Sequence, residues 1–212
     1  MGSCAAIVVA AGGGSRFGSP KQFATLGGTR VVDRAVARAR AACDAVIVVL
    51  PPGRDWDGAP VEAVVAGGAT RAESVRAGLT ALPPASEIVV VHDAARPLAS
   101  AALFDAVVAA VRGGADAAVP AIPVADTIKR VDGDRVTETL ARDGLVAVQT
   151  PQAFRVDALR AAHRPGGDAT DDAALVEAAG GTVVVVPGEP RNVKLTTAGD
   201  LAVAAALLTE CP

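Results

Sequence analysis

Three short segments carry side chains that could handle phosphate. The first is Ala10-Ala11-Gly12-Gly13-Gly14-Ser15-Arg16-Phe17-Gly18-Ser19-Pro20-Lys21-Gln22. Consecutive glycines let backbone N–H groups approach phosphate oxygens, and Arg16 and Lys21 add positive charge a few residues on. Two familiar glycine loops do not fit. The dinucleotide fingerprint needs a third glycine where Phe17 stands, and a P-loop needs Gly-Lys-Ser/Thr where Gly18 is followed by Ser19-Pro20. Taken alone, the segment also reads as a tight turn with surface cations. The second segment is Val91-His92-Asp93-Ala94-Ala95-Arg96-Pro97. It follows an apolar run, so a buried strand would deliver Asp93 and Arg96 to the crevice at its carboxyl end. Its bland reading is a loop ion pair. The third, Arg191-Asn192-Val193-Lys194-Leu195-Thr196, offers a late cation that either returns to the same crevice or stays solvated. Lys21, Lys129 and Lys194 are the only lysines in a chain that otherwise uses arginine. A remaining lysine then suggests a place that wants a compact ammonium rather than a planar fork.

The composition narrows the partners. With 212 residues the chain fits a single domain, 1–212, and 51% hydrophobic against 20% charged residues allows a packed core. The net charge of −3 argues against nucleic acid as a main partner. No apolar stretch is long enough to span a bilayer and no basic leader is visible, which predicts a cytoplasmic protein without a membrane partner. Cys4, Cys43 and Cys211 are odd in number and far apart, matching neither a disulfide framework nor a zinc site, and two histidines cannot make a histidine metal cluster.

The elements that must position these residues alternate. Ala5–Ala10, Val46–Leu50, Val61–Val65, Ile88–Val91, Ala117–Ala121 and Val183–Val186 read as buried parallel strands. Between them Arg30–Ala42 repeats its apolar residues along one helical face, and Thr70-Arg71-Ala72-Glu73 is a capping box for a helix running toward Leu82. Ser100 is positioned to cap Ala101–Arg112, Thr170 to cap Asp171–Ala179, and a last helix covers Gly199–Leu208. The class is α/β, a doubly wound and mainly parallel sheet. One segment breaks the rhythm: Asp126–Val131, the turn Asp132-Gly133-Asp134 and Arg135–Leu140 predict a β-hairpin inside an inserted arm, 123–142. It has no core of its own, so a second subunit is the natural cover.

Taken together, these segments resemble the bacterial 2-C-methyl-D-erythritol 4-phosphate (MEP) cytidylyltransferases of the non-mevalonate isoprenoid pathway. The likeness includes Ala10–Gln22, Gly67-Gly68 through Ser74, His92–Pro97, Asp126-Thr127, Arg142–Leu145, Thr150-Pro151-Gln152, Thr170-Asp171 and Asn192-Val193-Lys194. It implies a Rossmann-like nucleotidyltransferase fold, transfer of CMP from CTP to the sugar-alcohol phosphate, Mg²⁺, and a homodimer joined by the hairpin arm. It assigns Arg16 and Lys21 to the charge that builds on the α-phosphate, and Gly12, Gly13 and Gly14 to the triphosphate. Ala10, Ala11, Gly68, Ser74 and Asp93 fall at the nucleotide. Asp93, Arg96, Thr127, Thr150, Thr170, Arg142 and Lys194 surround the acceptor, with Arg142 and Lys194 orienting its phosphate. Mg²⁺ would be held mainly by the CTP phosphates, with Asp93 the one side chain placed to reach it. Relatives often carry an acidic residue after the glycine pair, where this chain has Ala69. A ribitol 5-phosphate cytidylyltransferase would share the fold and the CTP chemistry and is the alternative reading.

The chemistry suits these residue types. A phosphate monoester, with a second pKa near ~6, is already largely dianionic at neutral pH and needs no serine, cysteine or histidine to activate it. What remains is to bring two polyanions together and stabilise an in-line transfer, which fixed cations and Mg²⁺ do.

Overall fold

Strands and helices alternate along the chain in the computed structural model, which describes residues 3–13, 20–164 and 171–209. The order begins β1 (Ser3–Val9), β2 (Thr25–Leu26), β3 (Thr29–Arg30), α1 (Val31–Ala42), β4 (Ala45–Leu50), β5 (Ala63–Ala66) and α2 (Arg71–Thr80). It continues β6 (Ser86–Asp93), α3 (Ala101–Arg112), β7 (Ala117–Pro123), β8 (Lys129–Asp132), β9 (Arg135–Thr139), β10 (Val146–Val148) and β11 (Gln152–Arg155). It closes with α4 (Val156–His163), α5 (Asp172–Ala178), β12 (Val183–Pro187) and α6 (Ala198–Thr209).

The apolar runs become the middle of one sheet. β1 lies between β4 and β6, parallel to both, and β5 extends the sheet beyond β4. Beyond β6 comes β11, antiparallel to both β6 and β7, while β12 runs parallel along the far side of β7. Short β10 also pairs antiparallel with β7, on the side that β11 occupies, because β12 takes the other. The doubly wound, mainly parallel sheet is therefore as expected, with one antiparallel line through it that the apolar runs did not announce. β10 and β11 are three and four residues long, and the chain between them passes through the cis Thr150–Pro151 bond. Segments that short carry no period to read. The same brevity hid α4. β5 also starts two residues after the expected Val61.

Side chains of each buried strand alternate between two helical layers. Cys4, Ala6 and Val8 pack with α1 and α3 around Phe104, and Ala5 and Ile7 pack with α2, α4 and α5 around Phe154 and Leu159. The chain moves outward from β1 through β4 to β5, then returns to the other side of β1 as β6. This reversal opens a crevice at the carboxyl ends of β1 and β6, the place where such sheets bind ligands.

Caps fix the helix starts around that crevice. The Thr70–Glu73 capping box forms as expected, and the Ser100 hydroxyl accepts from the Leu103 N–H. The cap of α5 is corrected by one residue. The Asp171 carboxylate accepts from the Ala174 N–H at 3.0 Å and from Gln152 Nε2 at 3.0 Å, a second bond that favours Asp171 over its neighbour. Thr170 lies outside the described residues.

The hairpin stands apart from these layers. β8 and β9 pair antiparallel around Gly133-Asp134, and Gly133 takes φ +58°, which a turn of this kind demands at its first central position. Every residue of both strands is exposed, Val131 at 58% and Val136 at 53% included. The arm leaves the sheet after Pro123, and the chain is back at Val146, which pairs with Pro123.

Candidate active site

The crevice is built by four pieces of chain that end or turn at the same place. After β1, the Ala10 N–H still donates to Val49 O, and Val9 O accepts from the Ala94 N–H, so the loop departs from a fully anchored stem. A buried side chain then braces it. Gln22 Nε2 donates to Ala10 O at 2.7 Å and to Gly12 O at 2.8 Å, which leaves the N–H side of the loop turned away from the brace. Lys21 opens a short 3₁₀ turn, Lys21–Phe23, beside it. Gly14 and Arg16 lie outside the described residues.

The second wall is the approach to α2. A Cβ at Gly67 would sit 2.3 Å from Ala11 Cβ and 2.7 Å from Ser74 Oγ, so only glycine lets the two walls meet. The Ser74 hydroxyl accepts from the Gly68 N–H at 3.3 Å and donates to Thr70 O at 3.0 Å. At the position after the glycine pair, the Ala69 N–H donates to the Glu73 carboxylate at 2.6 Å, which also accepts from the Thr70 N–H. Glu73 thus brings an acid to the backbone beside that position.

The floor is Asp93, at the end of β6. Its Oδ1 meets Arg71 Nε at 3.1 Å and its Oδ2 meets Lys194 Nζ at 2.6 Å. Burial pushes this carboxyl up, but the Arg71 and Lys194 charges outweigh burial and hold it well below the usual carboxylate range. Lys194 is delivered by a strap. The Leu195 N–H donates to Ala95 O, Leu195 is fully buried, and buried Asn192 donates through Nδ2 to Thr150 O at 2.8 Å. Arg96 Nη1 donates to Asn192 O at 2.6 Å, so Arg96 secures the strap from behind.

Beneath Asp93 lies a neutral histidine. The Asp93 N–H donates to Thr150 Oγ1 at 3.0 Å, and that hydroxyl lies 3.2 Å from His92 Nδ1. His92 Nε2 faces Arg96 O at 3.2 Å, and a carbonyl can only accept, so the proton sits on Nε2 and Nδ1 accepts from Thr150. Burial holds His92 down at about 4. Thr150 and His92 look on paper like a nucleophile and its base. Both are buried and the threonine oxygen already accepts an N–H, so the pair supports the floor instead of attacking a substrate.

Of the residues singled out in the sequence, Ala10, Ala11, Gly12, Lys21, Ser74, Asp93 and Lys194 line one crevice of about 240 Å³. Gly13 is exposed beyond that lining, Gly68 bonds Ser74 behind it, and Thr150 and Arg96 form the layer beneath. Thr127 and Arg142 are not in the crevice of their own chain. Both are exposed at the root of the arm, where Arg142 Nη1 donates to Ala125 O. A larger cavity of about 810 Å³ lies at the opposite end of the sheet, bordered by Ser86, Arg112, Arg155 and Arg160. It contains none of the sequence-predicted residues, whereas the strand-end crevice gathers seven of them. Gln22 and Arg71 were missed as participants. Gln22 was visible only as the last letter of the loop, and Arg71 only as a letter inside a capping box.

The family model for IspD, 2-C-methyl-D-erythritol 4-phosphate cytidylyltransferase, matches residues 4–210. The chain belongs to this family. A 2-C-methyl-D-erythritol 4-phosphate cytidylyltransferase of Frankia casuarinae is 47% identical, with 98% of this chain and 82% of that protein covered. A bifunctional enzyme IspD/IspF of Rhodospirillum rubrum is 46% identical over 95% of this chain and 56% of its own length, so the chain spans about half of such two-part relatives. Among solved structures, 2-C-methyl-D-erythritol 4-phosphate cytidylyltransferase from Thermus thermophilus superposes with a TM-score of 0.85 at 37% identity, covering 96% of this chain and 98% of that one. IspD membership agrees with the α/β fold read from the apolar runs and with the nucleotidyltransferase fold that the resemblance implied. No helix among the described residues is long and apolar enough to cross a membrane.

Proposed function

We propose that this IspD-family enzyme transfers CMP from CTP to 2-C-methyl-D-erythritol 4-phosphate, releasing pyrophosphate. The observation that carries the reading is the meeting of Lys21, Lys194 and Asp93 with the glycine loop in one crevice, although the two lysines are far apart in sequence. Backbone N–H groups of Gly12, Gly13 and Gly14 receive the triphosphate, and Arg16 and Lys21 meet the negative charge that grows on the α-phosphorus as the acceptor oxygen attacks in line. Ala10, Ala11, Gly68 and Ser74 hold the nucleoside end. Lys194 turns toward the acceptor phosphate, and Thr170 borders it. Asp93 serves both substrates, and Thr150 and Arg96 keep Asp93 and the Lys194 strap in place.

The donor set fits a Mg²⁺ that arrives on the nucleotide. Among the described residues Asp93 is the one carboxylate lining the crevice, and those residues contain no group of three candidate metal ligands. A small hard cation of this kind is held by one or two carboxylates plus substrate phosphates. When bound, Mg²⁺ neutralises and orients the triphosphate.

The arm, 123–142, is proposed to reach across a homodimer and bring Thr127 and Arg142 to the neighbouring crevice. Its support is that these side chains lie away from their own crevice and that the arm exposes Val131 and Val136 with no layer of its own. The protein is proposed to work in the cytoplasm, with the chain 1–212 forming one nucleotidyltransferase unit. Pyrophosphate release should be measured with CTP, Mg²⁺ and each acceptor in turn. Turnover with 2-C-methyl-D-erythritol 4-phosphate well above that with ribitol 5-phosphate supports the assignment, and the reverse ranking would replace it with the pentitol reading.

A further inference from the structure

Asp93 is gripped by two cations that differ in freedom. Lys194, 41% exposed, holds Oδ2 from the wet side of the crevice. Arg71, 24% exposed and lining the same crevice, holds Oδ1 and is itself tied at its far end, where Nη1 meets Asp172 Oδ2 at 2.6 Å. Asp172 is in turn fixed by His163 Nε2 at 3.1 Å, and both of those side chains are almost wholly buried. Arg71 is also the first residue of α2, directly behind the Thr70 capping box, so its backbone is pinned as well.

We propose that Arg71 is a positioning residue that holds Asp93 in place while Lys194 leaves Asp93 for a substrate phosphate. A buried carboxylate stripped of its only cation is strongly unfavourable, so an Asp93–Lys194 pair standing alone would keep Lys194 captive. With Arg71 on the second oxygen, Lys194 can depart and Asp93 remains paired. Arginine suits the task because one planar fork serves two carboxylates, Nε toward Asp93 and Nη1 toward Asp172, which a lysine ammonium cannot span. The inference rests on reading the crevice as the cytidylyltransferase site.

A double-mutant cycle separates this role from a merely structural one. Arg71→Met should raise the acceptor KM about tenfold and lower kcat by a similar factor, because Lys194 is then bound to Asp93 alone. Added to Asp93→Asn, the same change should alter neither constant by more than about twofold, since no carboxylate is left to hold. Arg71→Lys should not restore the wild-type constants. A full loss from Arg71→Met in the Asp93→Asn background would overturn the proposal. Should Arg71→Met fail to fold, Asp172→Asn, which loosens the outer anchor without adding bulk, takes its place in the cycle.

A second readout needs no turnover. With three lysines in the chain, ¹³C-methylation gives three side-chain signals, and Lys194→Arg identifies the one from Lys194. That signal should move on adding 2-C-methyl-D-erythritol 4-phosphate, or inorganic phosphate if that acceptor does not bind, and should stay still in Arg71→Met. An equal shift in both proteins, or none in wild type, would overturn the proposal. A wild-type protein inactive with both acceptors would sink the functional reading while leaving this measurement intact.

Discussion

Lys21 lines the crevice proposed to receive the phosphates, whereas His92 lies buried beneath it, and substitutions at the two should act on different quantities. Lys21→Ala should lower kcat by about 10²-fold, because its ammonium meets charge that exists mainly in the transition state, while CTP affinity weakens less. Isothermal titration beside steady-state kinetics checks this, and a mutant that loses only CTP affinity would remove Lys21 from the catalytic set. His92 affects stability instead. Its pKa is held at about 4 in the folded protein against an ordinary 6.5. Between those values the unfolded chain takes up a proton that the folded one refuses. Stability present above pH 6.5 should therefore fall by up to ~3 kcal/mol as pH drops toward 4, then level off. Urea unfolding across that window should show the slope, and His92→Gln should flatten it. The crevice lysines Lys21 and Lys194 were legible in the sequence, one as a glycine-loop cation and both by the scarcity of lysine, which equally marked Lys129 on the exposed arm. Gln22 and Arg71 were not, because their importance lies in what they touch across the fold: Ala10 and Gly12 for one, Asp93 and Asp172 for the other.

At the scale of elements, the crevice depends on two walls coming close. Gly67→Ala would place a methyl 2.3 Å from Ala11 Cβ, which has backbone and not a flexible chain behind it. The expected outcome is a loss of about 1–3 kcal/mol in stability and a weaker CTP affinity, since Ala11 and Ser74 are pushed apart. Unchanged CTP binding would show that the wall can give. β1, β4 and β6 were readable because an unbroken apolar run between turn residues suits a strand covered on both faces, and α2 because its cap satisfies both ends of a reciprocal bond. β10, β11 and α4 were not. The pairing of the two strands is decided by β7 and β6, long-range partners that no local window contains. The Asp171 cap was missed for the same reason, as Gln152 selects it from another strand.

The whole molecule, by this reading, is a pair. If Arg142 acts on the neighbour's substrate, chains carrying Lys21→Ala and chains carrying Arg142→Ala should complement each other after joint unfolding and refolding. In a mixed dimer the Arg142→Ala subunit keeps its own Lys21 and borrows an intact Arg142, while the other site carries both defects. Random pairing makes about half the dimers mixed, so about a quarter of wild-type activity should return. Activity no higher than the mean of the parents, with mixed dimers confirmed by native mass spectrometry, would place Arg142 in its own chain's site. The valines at the arm and on β10 carry this further. Val131, Val136, Val146 and Val148 all face solvent in a lone chain. Catalysis would then depend on how much enzyme is present as well as on what it contains: a diluted chain keeps Lys21 and Lys194 but loses the borrowed guanidinium. Specific activity should drop on dilution, and an excess of the inactive Lys21→Ala chain should bring it back, an inactive protein acting as an activator.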